Sequence, residues 1–156
     1  MLSHKIQFLQ QQFIPLLKTL SPNQKGVWGV MNAQQMVEHF GDAVKNASGK
    51  LIVPQLLFDE QLEKMRTFLM SDKPFRENTI NPLMDKNGIP LRYPNMQAAI
   101  ERVERELQYF FEVFSANPDL ETRNAFFGEL NFEMNVQLLY KHAVHHLKQF
   151  GILVAD

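Results

Sequence analysis

The chain has 156 residues, of which 45% are hydrophobic and 21% are charged, a balance typical of one globular domain rather than of a disordered segment. Its 16 basic and 17 acidic residues give a formal net charge of −1. Proteins that neutralise many phosphates carry a cationic surplus, so we expect no nucleic-acid partner. The absence of cysteine excludes a disulfide framework, a cysteine-ligated zinc site and a thiol nucleophile.

The N-terminal segment and the hydropathy of the chain predict a cytoplasmic protein. Residues 1–13, MLSHKIQFLQQQF, lack the basic region and the continuous apolar run of a signal peptide. No segment approaches the roughly 18 uninterrupted apolar residues that a membrane span needs. We therefore expect one soluble domain over residues 1–156, with no membrane partner.

Apolar residues at alternating steps of four and three predict an amphipathic first helix over residues 2–20. They are Leu2, Ile6, Leu9, Phe13, Leu16 and Leu20. Pro15 lies inside this helix and should bend it or weaken one turn, because proline has no backbone N–H. Ser21 and Pro22 should end it.

A capping box predicts the start of a second helix over residues 33–48. Asn32 is a favourable N-cap, and Gln35 stands three positions later, where its side chain can reach back to the cap. The helix carries His39, and Gly49 is suited to the position just after its end. Its apolar stripe is Met36, Phe40, Ala43, Val44 and Ala47.

Residues 50–95 predict a long and less regular connection. One short helix is expected where apolar residues repeat at Phe58, Leu62, Met65 and Leu69. The following stretch is broken by Pro74, Pro82, Pro90 and Pro94. Asn87-Gly88 predicts a tight turn, and Ile89 and Leu91 predict a short strand-like piece. The connection is either a lid or binding loop, or an insertion that packs over the helices without further purpose.

Two more helices complete the predicted fold. The third, over residues 95–115, has its apolar face at Met96, Ile100, Val103, Leu107, Phe110 and Phe114. The segment FFGEL at 126–130 predicts a tight connection whose two aromatic rings pack into the core. Asn131 then caps a last helix over residues 132–150. Four amphipathic helices with a long connection between the second and the third predict an all-α four-helix bundle.

Three of the five histidines lie in the last helix, at His142, His145 and His146. The i, i+4 spacing places His142 and His146 on one face, about 40° apart at the edge of the apolar arc. His145 points about 60° to the other side of His142. His39 occupies the corresponding edge of the second helix, so that three imidazoles on two helices can converge at one corner of the bundle.

Three neutral imidazoles suit Zn²⁺, Ni²⁺ or Fe²⁺ and leave one coordination position open, as in catalytic rather than structural sites. Such an ion lowers the pKa of its bound water or activates a coordinated nucleophile. The alternative is a hydrogen-bonded or exposed pair, His142 and His146, with His39 satisfied at the core boundary. We expect His145 to lie behind the ligands or at the surface, and His4 to be solvated.

Other catalytic patterns are missing from the sequence. It contains no H-E-x-x-H, no paired E-x-x-H and no glycine-rich phosphate loop. Glu38 and Asp42 flank His39, where a carboxylate either hydrogen-bonds to an imidazole from behind or is simply solvated. Near the histidine pair, the candidates for proton transfer are Tyr140, Asn135 and Gln149, to which no role is assigned.

Three segments resemble the DinB/YfiT-like superfamily of four-helix bundles, and in particular a branch of unknown function. They are WGVMNAQQMVEHF at 28–40, FFGEL at 126–130 and YKHAVHHLKQFG at 140–151. The helix order and the long second-to-third connection are also similar, so the resemblance spans most of the chain, less clearly over 50–95.

The resemblance implies a divalent metal ion, zinc or nickel, held by His39, His142 and His146. It also implies a metal-dependent thiol transferase, isomerase or hydrolase acting with a low-molecular-weight thiol, in many cases as a homodimer. The chain departs from the common ending H-x-x-H-H-R-G-Q, because Leu147 and Lys148 replace Arg-Gly while Gln149 remains. The competing hypothesis is a non-catalytic helical binding or dimerisation module whose histidines are structural.

Overall fold

The computed structural model describes residues 2–78 and 89–155, and within them the fold is mostly helical with one small β-hairpin. Helix α1 has three contiguous parts, α-helical Leu2–Gln7, π-helical Phe8–Gln12 and α-helical Phe13–Leu17. The other helices are α2 (Ala33–Ala47), α3 (Asp59–Met70), α4 (Met96–Ala116) and α5 (Phe132–Gln149), and the hairpin pairs β1 (Thr122–Asn124) with β2 (Gly128–Leu130). The helices confirm the predicted helical class.

Helix α1 contains a π-helical turn shortly before Pro15. The proline offers no N–H to the carbonyl one turn before it, and the preceding residues widen into a π turn in which Phe13 N donates to Phe8 O. The extra residue shifts the buried stripe, so that Ile14 and Leu17 enter the core while Leu16 is only partly buried. The predicted disturbance at Pro15 thus takes the form of a π turn, and of the two apolar residues predicted beyond it, Leu20 is buried whereas Leu16 is only partly buried.

Helix α1 also ends three residues earlier than predicted. After Leu17 the backbone tightens into i, i+3 hydrogen bonds from Thr19 N to Leu16 O and from Leu20 N to Leu17 O, both 3.1 Å. The Thr19 hydroxyl donates to the same Leu16 carbonyl at 2.7 Å. These bonds satisfy the last carbonyls, so the helix ends before Pro22.

Asparagine caps fix the starts of α2, α4 and α5. The Asn32 side chain accepts from Gln35 N, and the Gln35 side-chain oxygen accepts from Asn32 N, which confirms the capping box. Asn95 and Asn131 accept from the backbone in the same way at α4 and α5. At the other end of α2, Gly49 has φ +88°, the left-handed conformation that favours glycine after a helix.

The main hydrophobic core lies between α1, α2, α4 and α5, with Phe13, Phe40, Phe110, Leu139 and Leu147 among its most buried members. A second, smaller cluster joins Leu69 of α3 to Phe127 and Leu130 of the hairpin. Within the part of the chain that the structure describes, no helix is long and apolar enough to cross a membrane.

The hairpin was not predicted from the sequence. Thr122 pairs with Leu130, Arg123 with Glu129 and Asn124 with Gly128. In the turn between them, Asn124 accepts from Phe126 N and Phe127 N at 2.9 and 3.1 Å. Phe127 is buried as expected, whereas Phe126 is only partly buried.

The long connection between α2 and α4 contains α3, as predicted, and α3 packs on α5. Two side chains of α5 hold it there by donating to carbonyl groups at the C-terminal end of α3. Gln137 donates to Leu69 O and Ser71 O, and Lys141 donates to these two and to Phe68 O. The predicted strand-like piece at 89–91 is absent, since these residues lack strand pairing and lie in an irregular segment. The predicted Asn87-Gly88 turn falls outside the described residues.

Candidate metal centre

Three histidines from α2 and α5 meet through the same ring nitrogen. His142 Nε2 lies 3.2 Å from His39 Nε2 and 2.7 Å from His146 Nε2. All three atoms lie within 4.8 Å of one another. The structure thus brings together the three residues that the sequence analysis selected, although His39 and His142 are 103 positions apart in the chain.

The environment of the cluster keeps the imidazoles neutral. Burial lowers the pKa of His39 to about 4, with Asp42 opposing the shift and His145 adding to it. Burial also lowers the pKa of His142 and of His146 well below the usual value, and the neighbouring histidines act in the same direction. Neutral imidazole is the form that binds metal ions, so the three side chains are in the ligand state near neutral pH.

The donor set fits a divalent cation. A tetrahedral ion with nitrogen ligands at about 2.0–2.1 Å places those nitrogens about 3.3–3.4 Å from one another. The His39–His142 distance of 3.2 Å already matches, and the His142–His146 distance of 2.7 Å would open by about 0.6 Å. A proton can bridge only one pair of these nitrogens at a time, whereas one cation can be shared by all three lone pairs.

Gln149 fixes the orientation of one member of the cluster. Its Oε1 lies 2.8 Å from His146 Nδ1, and its Nε2 donates to Trp28 O at 3.0 Å. Gln149 was one of three nearby candidates with no assigned role, and it contacts the predicted ligand His146. Asn135 instead donates to Thr122 Oγ1 and Leu130 O near the hairpin.

His145 lies beside the cluster, between two loops. Its ring centroid lies 5.1 Å from that of His146, 5.5 Å from that of Trp28 and 6.1 Å from that of Phe75. Trp28 and Phe75 were not selected from the sequence. The only sequence signal for the first was a lone tryptophan between two glycines, Gly26 and Gly29.

His4 and Tyr140, both named from the sequence, pack against each other. His4 is exposed, as expected, and its ring lies edge-on to Tyr140. Tyr140 in turn packs edge-on against Phe8 of α1. Neither residue belongs to the three-histidine cluster.

The expectation of simple solvation is wrong for Glu38. Its side chain is fully buried and accepts from Arg92 N at 2.7 Å and from Gln34 Nε2 at 3.2 Å. Asp42 is partly exposed and accepts from Arg92 Nη2 and Arg102 Nη2 at 2.7 and 2.8 Å. The sequence could not show this, because the partners other than Gln34 come from residues 50 to 60 positions away.

A search of family models, of curated proteins and of solved structures found no match to this chain. What the described residues show by themselves is a helical fold and a histidine cluster of metal-binding dimensions.

Proposed function

We propose that His39, His142 and His146 hold a divalent metal ion, zinc or nickel, at the centre of a metal-dependent enzyme. The observation that carries this proposal is the convergence of three Nε2 atoms from two helices on one point. One nitrogen of each ring faces the other two rings, which is an arrangement in which three lone pairs can share one ion. His39 and His142 remain partly exposed, which gives the cluster a path to solvent.

The proposed architecture is a single DinB/YfiT-like four-helix bundle over residues 1–156. Two features support it, the resemblance of residues 28–40 and 140–151 to that superfamily and a main core shared by α1, α2, α4 and α5. Bundles of this kind build their metal sites from side chains on facing helices.

The proposed chemistry is hydrolysis or thiol transfer on a small molecule. With three protein ligands, an ion supplies an open position at which water or a thiol loses its proton near neutral pH. The chain's own residues hold the ligand nitrogens in place, and the rings of Trp28 and Phe75 flank His145 at the edge of the cluster. A low-molecular-weight thiol is the proposed co-substrate, and a homodimer is the proposed assembly.

Elemental analysis of protein purified without a histidine tag tests the metal. We expect about one equivalent of zinc or nickel per chain, and a loss of that metal in His39→Ala, His142→Ala and His146→Ala. His4→Ala is the matched control, because His4 is an exposed histidine outside the cluster. Wild-type protein that carries no metal and binds none on addition would refute the proposal.

The alternative is a non-catalytic helical binding or dimerisation module. It is favoured by large apolar side chains that are exposed, among them Val27, Val30, Ile52, Phe58 and Leu153. Under this alternative, a triple His39/His142/His146→Ala protein keeps its oligomeric state in sedimentation velocity and its partner binding, although it lacks the metal.

A further inference from the structure

The side-chain amide of Gln149 has only one orientation that satisfies both of its contacts. A backbone carbonyl only accepts hydrogen bonds, so the amide nitrogen must face Trp28 O, at 3.0 Å. Oε1 then faces His146 Nδ1, at 2.8 Å. Because an amide oxygen also only accepts, His146 Nδ1 must carry the proton of the neutral ring.

This assignment leaves His146 Nε2 without a proton and directs its lone pair towards His39 and His142. A neutral imidazole has two tautomers, and only the one protonated at Nδ1 can use Nε2 as a metal ligand. Hydrogen bonds to the far nitrogen of a ligand histidine set both its tautomer and its orientation. Gln149 is 3% exposed, so water does not replace it easily in this role.

The loop at residues 26–29 packs closely against the same amide. A Cβ at Gly29, which has φ +80°, would lie 2.8 Å from Gln149 Nε2, and a Cβ at Gly26 would lie 3.0 Å from Gln149 Cγ. Val27 N donates to Gln149 O at 2.7 Å, so the backbone also fastens the loop to the end of α5. The two glycines thus permit a close approach that side chains would prevent.

We infer that Gln149 is a positioning residue, which holds His146 in the tautomer protonated at Nδ1 and ties the Trp28 loop to the histidine cluster through one amide. The inference rests on the proposed function for its relevance to metal binding. Its structural content does not, because the tautomer exists in the metal-free protein and can be measured there.

The primary test is the tautomer itself. Two-bond ¹H–¹⁵N correlation spectra of metal-free protein with labelled histidine distinguish a protonated Nδ1 from a protonated Nε2, and the His146 signals are assigned by their loss in His146→Asn. We expect wild-type His146 to be protonated at Nδ1. A ring protonated at Nε2 in the wild type would overturn the inference, whatever the metal content.

Two substitutions separate the functions of the amide. Gln149→Leu removes the acceptor, so we expect a mixture of tautomers and a 10- to 100-fold weaker affinity for Zn²⁺ in competition with a chromophoric chelator. Gln149→Glu keeps an acceptor for Nδ1 but cannot donate to Trp28 O, so we expect the wild-type tautomer together with altered tryptophan fluorescence. Trp28 is the only tryptophan, so the emission reports this loop.

Gln137→Leu is the matched control. Gln137 is a buried glutamine of the same helix, 5% exposed, and its amide donates to Leu69 O and Ser71 O rather than to the cluster. We expect it to lower stability while leaving the His146 tautomer and the Zn²⁺ affinity unchanged. A wild-type tautomer in Gln149→Leu, or an equal change in Gln137→Leu, would refute the inference. A wild type that binds no Zn²⁺ would refute the proposed function alone.

Discussion

Two buried polar clusters lie beside each other on α2, and their polar atoms find hydrogen-bond partners in opposite ways. The carboxylate of Glu38 is enclosed by donors, the backbone N–H groups of Arg92 and Tyr93 and the amide of Gln34. One residue further along, His39 faces two other imidazoles through the same nitrogen. The first cluster is complete within the protein, whereas the second presents acceptors to one another and is completed only by a proton or a cation.

The role of a buried polar side chain depends on the balance of hydrogen-bond donors and acceptors around it. Glu38 has a formal charge and yet is a structural anchor for the segment before α4, because every contact it makes is to a donor. The histidines are neutral and yet form the candidate functional site, because their Nε2 atoms face one another.

Removing the Glu38 side chain should destabilise the protein most. In Glu38→Ala, the N–H groups of Arg92 and Tyr93 and the amide of Gln34 lose their acceptor, at an expected cost of about 3–4 kcal/mol in the free energy of unfolding. Urea denaturation measures the change. Glu101→Ala on the exposed face of α4 is the control and should alter stability by less than about 0.5 kcal/mol. A similar loss in both variants would mean that the donors around Glu38 find water instead.

Acid should weaken the histidine cluster in the metal-free protein. His39 has a pKa of about 4 in the folded state because burial disfavours its charged form, and about 6.5 when unfolded. Below about pH 6.5 the unfolded chain therefore binds more protons, and stability falls as the pH decreases towards 4, by about 3 kcal/mol for this residue. Urea denaturation in the presence of a chelator, between pH 7 and pH 4, measures the slope.

His39→Gln is the comparison for the acid series, since glutamine is polar but does not titrate. The difference in unfolding free energy between wild type and variant should shrink as the pH falls. A difference that stays constant with pH would contradict the lowered pKa of His39.

Divalent metal should stabilise the fold through the histidine cluster and leave the Glu38 cluster unaffected. At a free Zn²⁺ concentration 100 times the dissociation constant, the free energy of unfolding should rise by about 2.7 kcal/mol. Thermal unfolding with and without Zn²⁺ measures this gain. His142→Ala should lose it, whereas Glu101→Ala should keep it. A gain that survives in His142→Ala would place the ion elsewhere.

Asp42 links the two clusters, and replacing it should have the smallest effect. Its carboxylate accepts from Arg92 and Arg102 and raises the pKa of His39 against the effect of burial. Because Asp42 is partly exposed, Asp42→Asn should cost only about 1 kcal/mol in urea denaturation. The same variant should lower the pKa of His39 further, as followed by NMR. An unchanged pKa would show that the two clusters are electrostatically independent.

Local rules predicted the helices of this fold well. The asparagines before α2 and α5, and the apolar spacing in all three of α2, α4 and α5, placed those helices to within one or two residues, because capping and amphipathicity are short-range properties. The hairpin escaped prediction, since its strands have three residues each and their pairing depends on Asn124 and Gly128 in the turn. The π turn before Pro15 shifted a stripe that a constant period could not follow.

The histidine cluster was predictable because its members lie at equivalent edges of two helices. The residues around it were not. Glu38 accepts from a segment 54 residues away, and Trp28 meets the site through a loop that hydrogen-bonds to Gln149, 121 residues away. Such contacts depend on tertiary packing, and a helical wheel shows only the faces of a single helix.

The distance in sequence between the histidines has a consequence for folding. His142 and His146 lie one turn apart and can meet an ion as soon as α5 forms, but His39 is 103 residues from His142. An ion held by all three would act as a reversible cross-link, and closing a loop of about 100 residues corresponds to roughly 4.7 kcal/mol of chain entropy. In a refolding experiment started with metal present, tight binding would therefore appear only when α2 docks against α5, and metal uptake would report that docking.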